Sequence, residues 1–134
     1  MATSTIIYKG NLRTKSTHSD SGTEILTDAP KDNHGNGEAF SPTDMVANSL
    51  ATCMFTIMGI KAIDLGVAIE NSTAEVTKVM YNEPRRIGEI IISFAMKGKA
   101  DKKQQTILER AAMTCPVIFS LHPNIEKKIS FVWE

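Results

Sequence analysis

The first third of the chain alternates short stretches of β-branched or apolar residues with turns. Residues 5–8, 12–18 and 23–27 each carry a pattern typical of a strand, and Gly, Asn and Ser separate them. Residues 28–38 are dense in Gly, Asn, Asp and Pro and predict a loop. A loop of this length suggests a functional segment or a surface arm.

A long apolar helix is predicted between Pro42 and a stop at Gly66. Ser41 can cap its first amide groups, and proline at the first helical position loses no hydrogen bond. Asp44 places negative charge in the first turn, where the helix dipole favours it. Apolar residues recur at steps of three and four: Met45, Val46, Leu50, Met54, Ile57, Ile60 and Ile63. Because small residues fill most other positions, we expect a helix buried on most faces.

Two longer strands are predicted at residues 72–80 and 87–97, followed by an amphipathic helix that Asp101 can cap. Pro116 starts a short helix, Pro123 ends it, and residues 128–133 form a last strand. The predicted order is therefore β-β-β-α-β-β-α-α-β. Hairpin strands with grouped helices indicate an α+β fold with antiparallel sheets.

Length and charge limit the class of protein. A chain of 134 residues predicts one domain, residues 1–134, and 15 basic against 15 acidic residues argue against a nucleic-acid partner. We expect no membrane partner, since no apolar run approaches the roughly 20 residues that span a bilayer. Without a recognisable signal peptide, a cytoplasmic location is expected. A helix this apolar needs more cover than one small domain provides, which predicts an obligate homodimer.

Cys53 and Cys115 are the candidate reactive residues. Cys53 lies inside the apolar helix, and Cys115 precedes Pro116 at a helix start, where free amide groups and the helix dipole favour a thiolate. The alternative is that both are small buried hydrophobic residues. The three histidines, His18, His34 and His122, are scattered, so we expect no metal site and no cofactor.

The chain resembles the OsmC/Ohr family of thiol-dependent peroxidases, which reduce organic hydroperoxides. The resemblance lies in the element order, the Ser-Pro-Thr-Asp helix start at residues 41–44, a cysteine eleven residues after that proline, and the later Cys-Pro-Val at residues 115–117. It implies an OsmC-like intertwined homodimer with sheets wrapped around central helices. It also implies that Cys53 is the peroxidatic thiol and Cys115 the resolving one.

The family places an arginine from the N-terminal strands near the thiolate, held by a glutamate at the start of the central helix. Arg13 is the candidate arginine, with a surface strand position as the alternative. Thr43 stands where the glutamate is expected. Two other acids, Asp44 and Glu38, are therefore candidate partners of Arg13, although Asp44 is also explained as a helix-dipole partner. We interpret Arg85 and Arg86 as a solvated surface patch.

Two functions follow from the resemblance. The first is a hydroperoxide reductase that takes an organic hydroperoxide, or hydrogen peroxide, and is reduced by a dithiol protein or a small thiol. The second is a non-enzymatic thiol sensor or small-ligand-binding dimer, which the departure at Thr43 favours. Met45 and Met54 are either core residues or the lining of a pocket for an apolar peroxide tail.

Overall fold

Six strands and three α-helices follow one another in the predicted order, and a short 3-10 turn at Lys31–Asn33 precedes the first helix. The computed structural model describes all 134 residues. The bounds are β1 Ser4–Gly10, β2 Arg13–His18, β3 Glu24–Asp28, α1 Pro42–Leu65, β4 Thr73–Tyr81, β5 Arg86–Met96, α2 Lys102–Ala112, α3 Pro116–Ser120 and β6 Glu126–Trp133.

The elements group into two units, Met1–Met45 and Val46–Glu134, each with a three-stranded sheet. Mixed helices and sheets confirm the predicted α+β class. The boundary falls in the first turn of α1, next to the helix start predicted from Ser41 and Pro42. Whether the chain acts as one domain stays a prediction.

The sheet of the first unit is antiparallel in the order β1-β2-β3. Its register sets Arg13 on β2 directly opposite Asp28 on β3. None of its large apolar side chains is fully buried, and several are about half exposed: Ile6, Ile7, Tyr8, Leu12, Ile25, Leu26 and Phe40. The fully buried residues of this unit are polar: Thr27, Asp28 and Ser41.

The sheet of the second unit has the order β4-β5-β6. Strands β4 and β5 form an antiparallel hairpin, whereas β5 and β6 are parallel. The predicted antiparallel pairing is therefore wrong for β5 and β6. The physical reason is the connection: α2 and α3 lie between β5 and β6, and a helical crossover returns the chain so that β6 runs in the direction of β5.

One stripe of α1 and one face of β5 form the core of the second unit. Leu50, Met54 and Met58 are fully buried in the same cluster as Phe94. The Phe94 ring packs edge-on against Phe55 and is stacked on Phe131, with centroid separations of 4.9 Å in both cases.

The other faces of α1 are open in the single chain. Six of its 24 residues are buried, and Val46, Ile60 and Ile63 are exposed, Ile63 to 81 %. The expectation of a helix buried on most faces is thus wrong for the isolated chain, because a single sheet covers a single stripe of the helix.

Helix α1 is also long and apolar enough to cross a membrane by length and composition. The statement that no apolar segment approaches that length is therefore wrong, since small residues and few charges make the helix apolar along most of its length. One such helix is weak evidence for a membrane, because the core helix of a soluble protein passes the same test.

Phe94→Ala should lower the free energy of unfolding by about 3–5 kcal/mol, the usual cost of removing a buried aromatic ring. Chemical denaturation at fixed protein concentration measures this change. The matched control is Ser93→Ala on the exposed face of the same strand, which should stay within about 0.5 kcal/mol of wild type. Equal costs for the two variants would contradict the core described above.

Candidate functional site

The structure brings the two cysteines of the second unit together. Both are free thiols, Cys115 fully buried and Cys53 partly buried against the same core cluster. They lie near enough for Cys53 to raise the pKa of the Cys115 thiol. Residues 62 positions apart in the sequence are therefore neighbours, because Cys115, at the start of α3, lies in the same core cluster as Leu50 and Met54 of α1.

Cys115 is the N-cap of α3. Its backbone is extended, its sulfur accepts a hydrogen bond from the Ile118 amide at 3.4 Å, and Pro116 occupies the first helical position. The helix start predicted from Cys-Pro is therefore present. Its amide groups act in the direction expected from the sequence, because their hydrogen bonds lower the pKa of the thiol.

Burial nevertheless dominates at Cys115. Desolvation disfavours the charged form and raises the pKa of the thiol above its ordinary value of 9.0, and the hydrogen bond and charge of Cys53 raise it further. The expectation that the helix start favours a Cys115 thiolate is thus wrong in its net effect. At neutral pH Cys115 therefore keeps its proton.

Arg13 in the first unit is held by a carboxylate that the sequence analysis missed. Its Nε and Nη2 donate to the two carboxylate oxygens of Asp28 at 2.7 and 2.8 Å, a bidentate pair. The Glu38 amide donates to the same carboxylate at 3.1 Å, and the Glu38 side chain lies 3.9 Å from Nη2. Arg13 is therefore fixed by Asp28, with Glu38 as a weaker second acid.

This pair changes the ionisation of both groups. The hydrogen bond from Arg13 is the largest effect on Asp28 and lowers the pKa of the carboxyl group. The hydrogen bond to Asp28 in turn raises the pKa of Arg13. The sequence held one indication of this pair, because Asp28 directly follows the predicted third strand. In the structure the strand register sets Asp28 opposite Arg13.

Asp44 acts at the start of α1. Its carboxylate accepts the Ser41 amide hydrogen bond, and its own amide donates to the Ser41 hydroxyl, both at 3.0 Å. This reciprocal pair is a capping box, in which the two residues satisfy each other's backbone amides. The sequence allowed two roles for Asp44, one at the helix start and one as a partner of Arg13. The geometry supports the role at the helix start.

The other candidate residues of the sequence lie elsewhere. Arg86 donates to the Asn82 and Pro84 carbonyls in the β4–β5 turn and stacks over Tyr81, as a surface residue would. Met54 is fully buried in the core, so the hypothesis that it lines a pocket is wrong. No group of three or more potential ligand residues is placed to hold a metal ion.

A groove of about 450 Å³ lies between α1 and α2 in the second unit. Its lining surface is mostly apolar and includes Thr114, the neighbour of Cys115. The sequence analysis did not predict this groove. Its apolar lining residues nevertheless belong to the periodic patterns from which the two helices were predicted.

Comparison with known families now adds to this geometry. The model of the family described as OsmC-like protein matches residues 35–130. The chain belongs to the OsmC-like family. The match contains both cysteines and the start of α1, and Arg13 and Asp28 lie before it. A search of curated proteins returned no match.

Solved structures agree with this assignment. A Psychrobacter arcticus protein, provisionally named an osmotic stress induced and detoxification response protein, is 52 % identical, with a TM-score of 0.95 and coverage of 98 % of this chain and 96 % of that one. An organic hydroperoxide resistance protein from Elizabethkingia anophelis is 17 % identical (TM-score 0.75; 100 % and 98 % covered). An organic hydroperoxide resistance protein OsmC from Legionella pneumophila is 16 % identical (TM-score 0.70; 98 % and 97 % covered). The last two show the shared fold.

Asp28→Asn should make the free energy of unfolding less dependent on pH. Because the pKa of Asp28 is lowered in the folded state, its stabilising effect is complete above the ordinary value of 3.8 and is lost as the pH falls through the lower folded value. Wild type should therefore lose this contribution below about pH 4, whereas the variant lacks it already at pH 7.

Urea denaturation at several pH values between 7 and 3 measures the difference. Asp20→Asn, in the exposed β2–β3 turn, is the matched control and should follow the wild-type pH profile. A variant as stable as wild type at pH 7, with the same acid slope, would show that the Arg13–Asp28 pair does not stabilise the fold.

Proposed function

We propose that this protein is a thiol-dependent peroxidase that reduces organic hydroperoxides through Cys53. Membership of the OsmC-like family supports a role in hydroperoxide detoxification. The observation that carries the finer proposal is that two free thiols, one partly and one fully buried, lie at the same core cluster, where Cys53 raises the pKa of Cys115. In this proposal the partly buried thiol is the nucleophile. The fully buried, protonated thiol then reacts with the oxidised cysteine.

The first step is attack of the Cys53 thiolate on the hydroperoxide. Sulfur forms a bond to one peroxide oxygen, the O–O bond breaks, and the other oxygen leaves as an alcohol after taking a proton. Cys53 is oxidised to a sulfenic acid. Because Cys115 retains its proton at neutral pH, Cys53 is the nucleophile of this step.

The second step closes a disulfide. The Cys115 sulfur attacks the sulfenic sulfur of Cys53, and the sulfenic oxygen leaves as water with the Cys115 proton. An external dithiol protein or small thiol then supplies two electrons and restores both cysteines. No metal or cofactor is needed by these steps.

Arg13 provides the cation in this proposal. Its guanidinium is fixed on both carboxylate oxygens of Asp28, so its orientation is set before any substrate arrives. The proposal does not use Asp44, whose carboxylate accepts a hydrogen bond at the start of α1. Asp28 is thus the partner of Arg13, a role for which the sequence analysis named Asp44 and Glu38 as candidates.

One observation favours the alternative of a thiol sensor. Burial raises the pKa of Cys115, and a protonated thiol attacks slowly, so the sulfenic acid on Cys53 would persist. A sensor requires such a long-lived oxidised state, whereas a peroxidase requires repeated turnover. Steady consumption of hydroperoxide in the presence of dithiothreitol separates the two functions.

Substitution of the two cysteines should have unequal effects. Cys53→Ser should reduce hydroperoxide consumption to the background rate, because the first bond to oxygen cannot form. Cys115→Ser should retain one fast reaction per subunit and accumulate a sulfenic acid open to overoxidation. Stopped-flow reaction with cumene hydroperoxide and hydrogen peroxide, with mass spectrometry of the products, measures both effects.

Thr114→Ser, next to the resolving thiol, is the control and should react as wild type does. Arg13→Ala should slow the first step, and Arg13→Lys should restore part of the rate, since it keeps the charge but not the bidentate geometry. Wild-type consumption by Cys53→Ser, or Cys115 reacting faster than Cys53, would reverse the assigned roles.

We also propose that the working protein is an intertwined homodimer. Each unit supports this separately: the sheet of the first exposes Ile6, Ile7 and Tyr8, and α1 of the second exposes Ile60 and Ile63. Apolar patches of this kind on a soluble chain mark interaction surfaces.

Sedimentation velocity should give a dimer at micromolar concentration, and the midpoint of thermal unfolding should rise with protein concentration. Ile63→Glu should weaken the dimer, because it buries a charge in the contact, whereas Lys99→Glu in the exposed β5–α2 connection should not. A folded monomer whose stability is unchanged on dilution would contradict the homodimer.

A further inference from the structure

The sulfur of Cys115 takes part in two separate interactions of the second unit. It is the N-cap acceptor of α3, and the Ile118 amide donates to it at 3.4 Å. It also lies near enough to Cys53 for that thiol to raise its pKa, and both thiols are free. One atom therefore belongs both to the thiol pair and to the start of a helix.

Helix α3 is short and lies at the surface of the second unit. It contains five residues, Pro116–Ser120, and none of them is fully buried. The first amides of a helix have no acceptor within the helix, so the Cys115 sulfur satisfies a group that the backbone leaves unpaired. Because a helix of this length is unstable by itself, α3 depends on its cap and on the packing of Val117 and Ile118 against the core.

Closure of a disulfide requires one of the two sulfurs to move. Sulfurs in a disulfide are about 2.05 Å apart, well inside the separation of two free thiols. Cys53 lies near the middle of the 24-residue α1, where helical hydrogen bonds on both sides fix its backbone. Cys115 instead follows the break between α2 and α3, so the movement falls on its sulfur. Once bonded to Cys53, that sulfur is no longer free to point at the Ile118 amide.

We propose that α3 reports the redox state of the thiol pair: closure of a Cys53–Cys115 disulfide removes the N-cap of α3 and loosens Pro116–Ser120. In this closure the two thiols lose two protons and two electrons, the S–S bond forms, and the hydroperoxide is reduced to an alcohol and water. The inference rests on the disulfide of the proposed function. Reduction of the disulfide restores the thiol and its cap, so the change in α3 is reversible.

Hydrogen exchange of single amides, followed by NMR, measures the cap directly. Diamide oxidises the thiols to the disulfide without peroxidase turnover and is itself reduced to a hydrazine. The Ile118 amide should then exchange roughly two- to fivefold faster than in the reduced protein, the lower part of the range for loss of an N-cap, because sulfur is a weak acceptor. The internal control is the Gln104 amide, which the Asp101 carboxylate caps at 2.8 Å and whose exchange should not change.

Variants of the two cysteines separate the cap from the redox chemistry. Cys115→Ala removes the acceptor, so its Ile118 amide should exchange fast in the reduced protein and should not respond to diamide. Cys115→Ser keeps an acceptor oxygen and should protect the Ile118 amide with or without diamide. Cys53→Ser keeps the Cys115 cap without a partner for the disulfide, and its Ile118 amide should exchange at the reduced wild-type rate throughout.

Three results would overturn the inference. If mass spectrometry shows the disulfide and the Ile118 amide still exchanges at its reduced rate, the cap survives oxidation, and the proposed peroxidase stands without this change in α3. If diamide closes no Cys53–Cys115 disulfide, the inference fails together with the resolving role of Cys115. Equal acceleration at Ile118 and Gln104 would show that oxidation loosens the whole unit rather than the start of α3.

Discussion

The packing of Cys115 into the core beneath α1 is the contact on which the second unit and its chemistry both depend. Cys115 is fully buried in the same cluster as Leu50, Met54 and Phe94, and it caps α3 through the Ile118 amide. The core that stabilises this unit therefore also sets the position of the Cys115 thiol. Because burial outweighs the amide hydrogen bonds, the pKa of that thiol is raised.

The first unit shows the opposite balance. Its buried groups are polar, and the Arg13–Asp28 pair lies across neighbouring strands rather than in an apolar core. A bidentate pair between β2 and β3 orients the guanidinium rigidly, since rotation of Arg13 would break two charge-assisted hydrogen bonds. A sheet with this little apolar burial is a poor independent fold, and this supports the proposed homodimer.

The sequence predicted the order of elements because each boundary had a local signal: Ser41 and Pro42 at the start of α1, Gly66 at its end, and Asp101 before α2. The capping box of Asp101 with Gln104 is such a local event. What depends on distant contacts was harder to predict. The parallel β5–β6 pair follows from the path of two helices, and Asp28 becomes the partner of Arg13 only through strand register. The net pKa of Cys115 required knowing its burial.

The same limit explains why the candidate site was predicted in part. Motifs identify residues whose chemistry is local, such as a cysteine before a helix-start proline. They do not identify a second residue that acts by position, as Asp28 does for Arg13. The groove between α1 and α2 is a further case, since its walls come from two helices that the sequence predicts separately. A groove of this kind is encoded by the packing of two helices rather than by a local motif, so neither helix pattern alone could predict it.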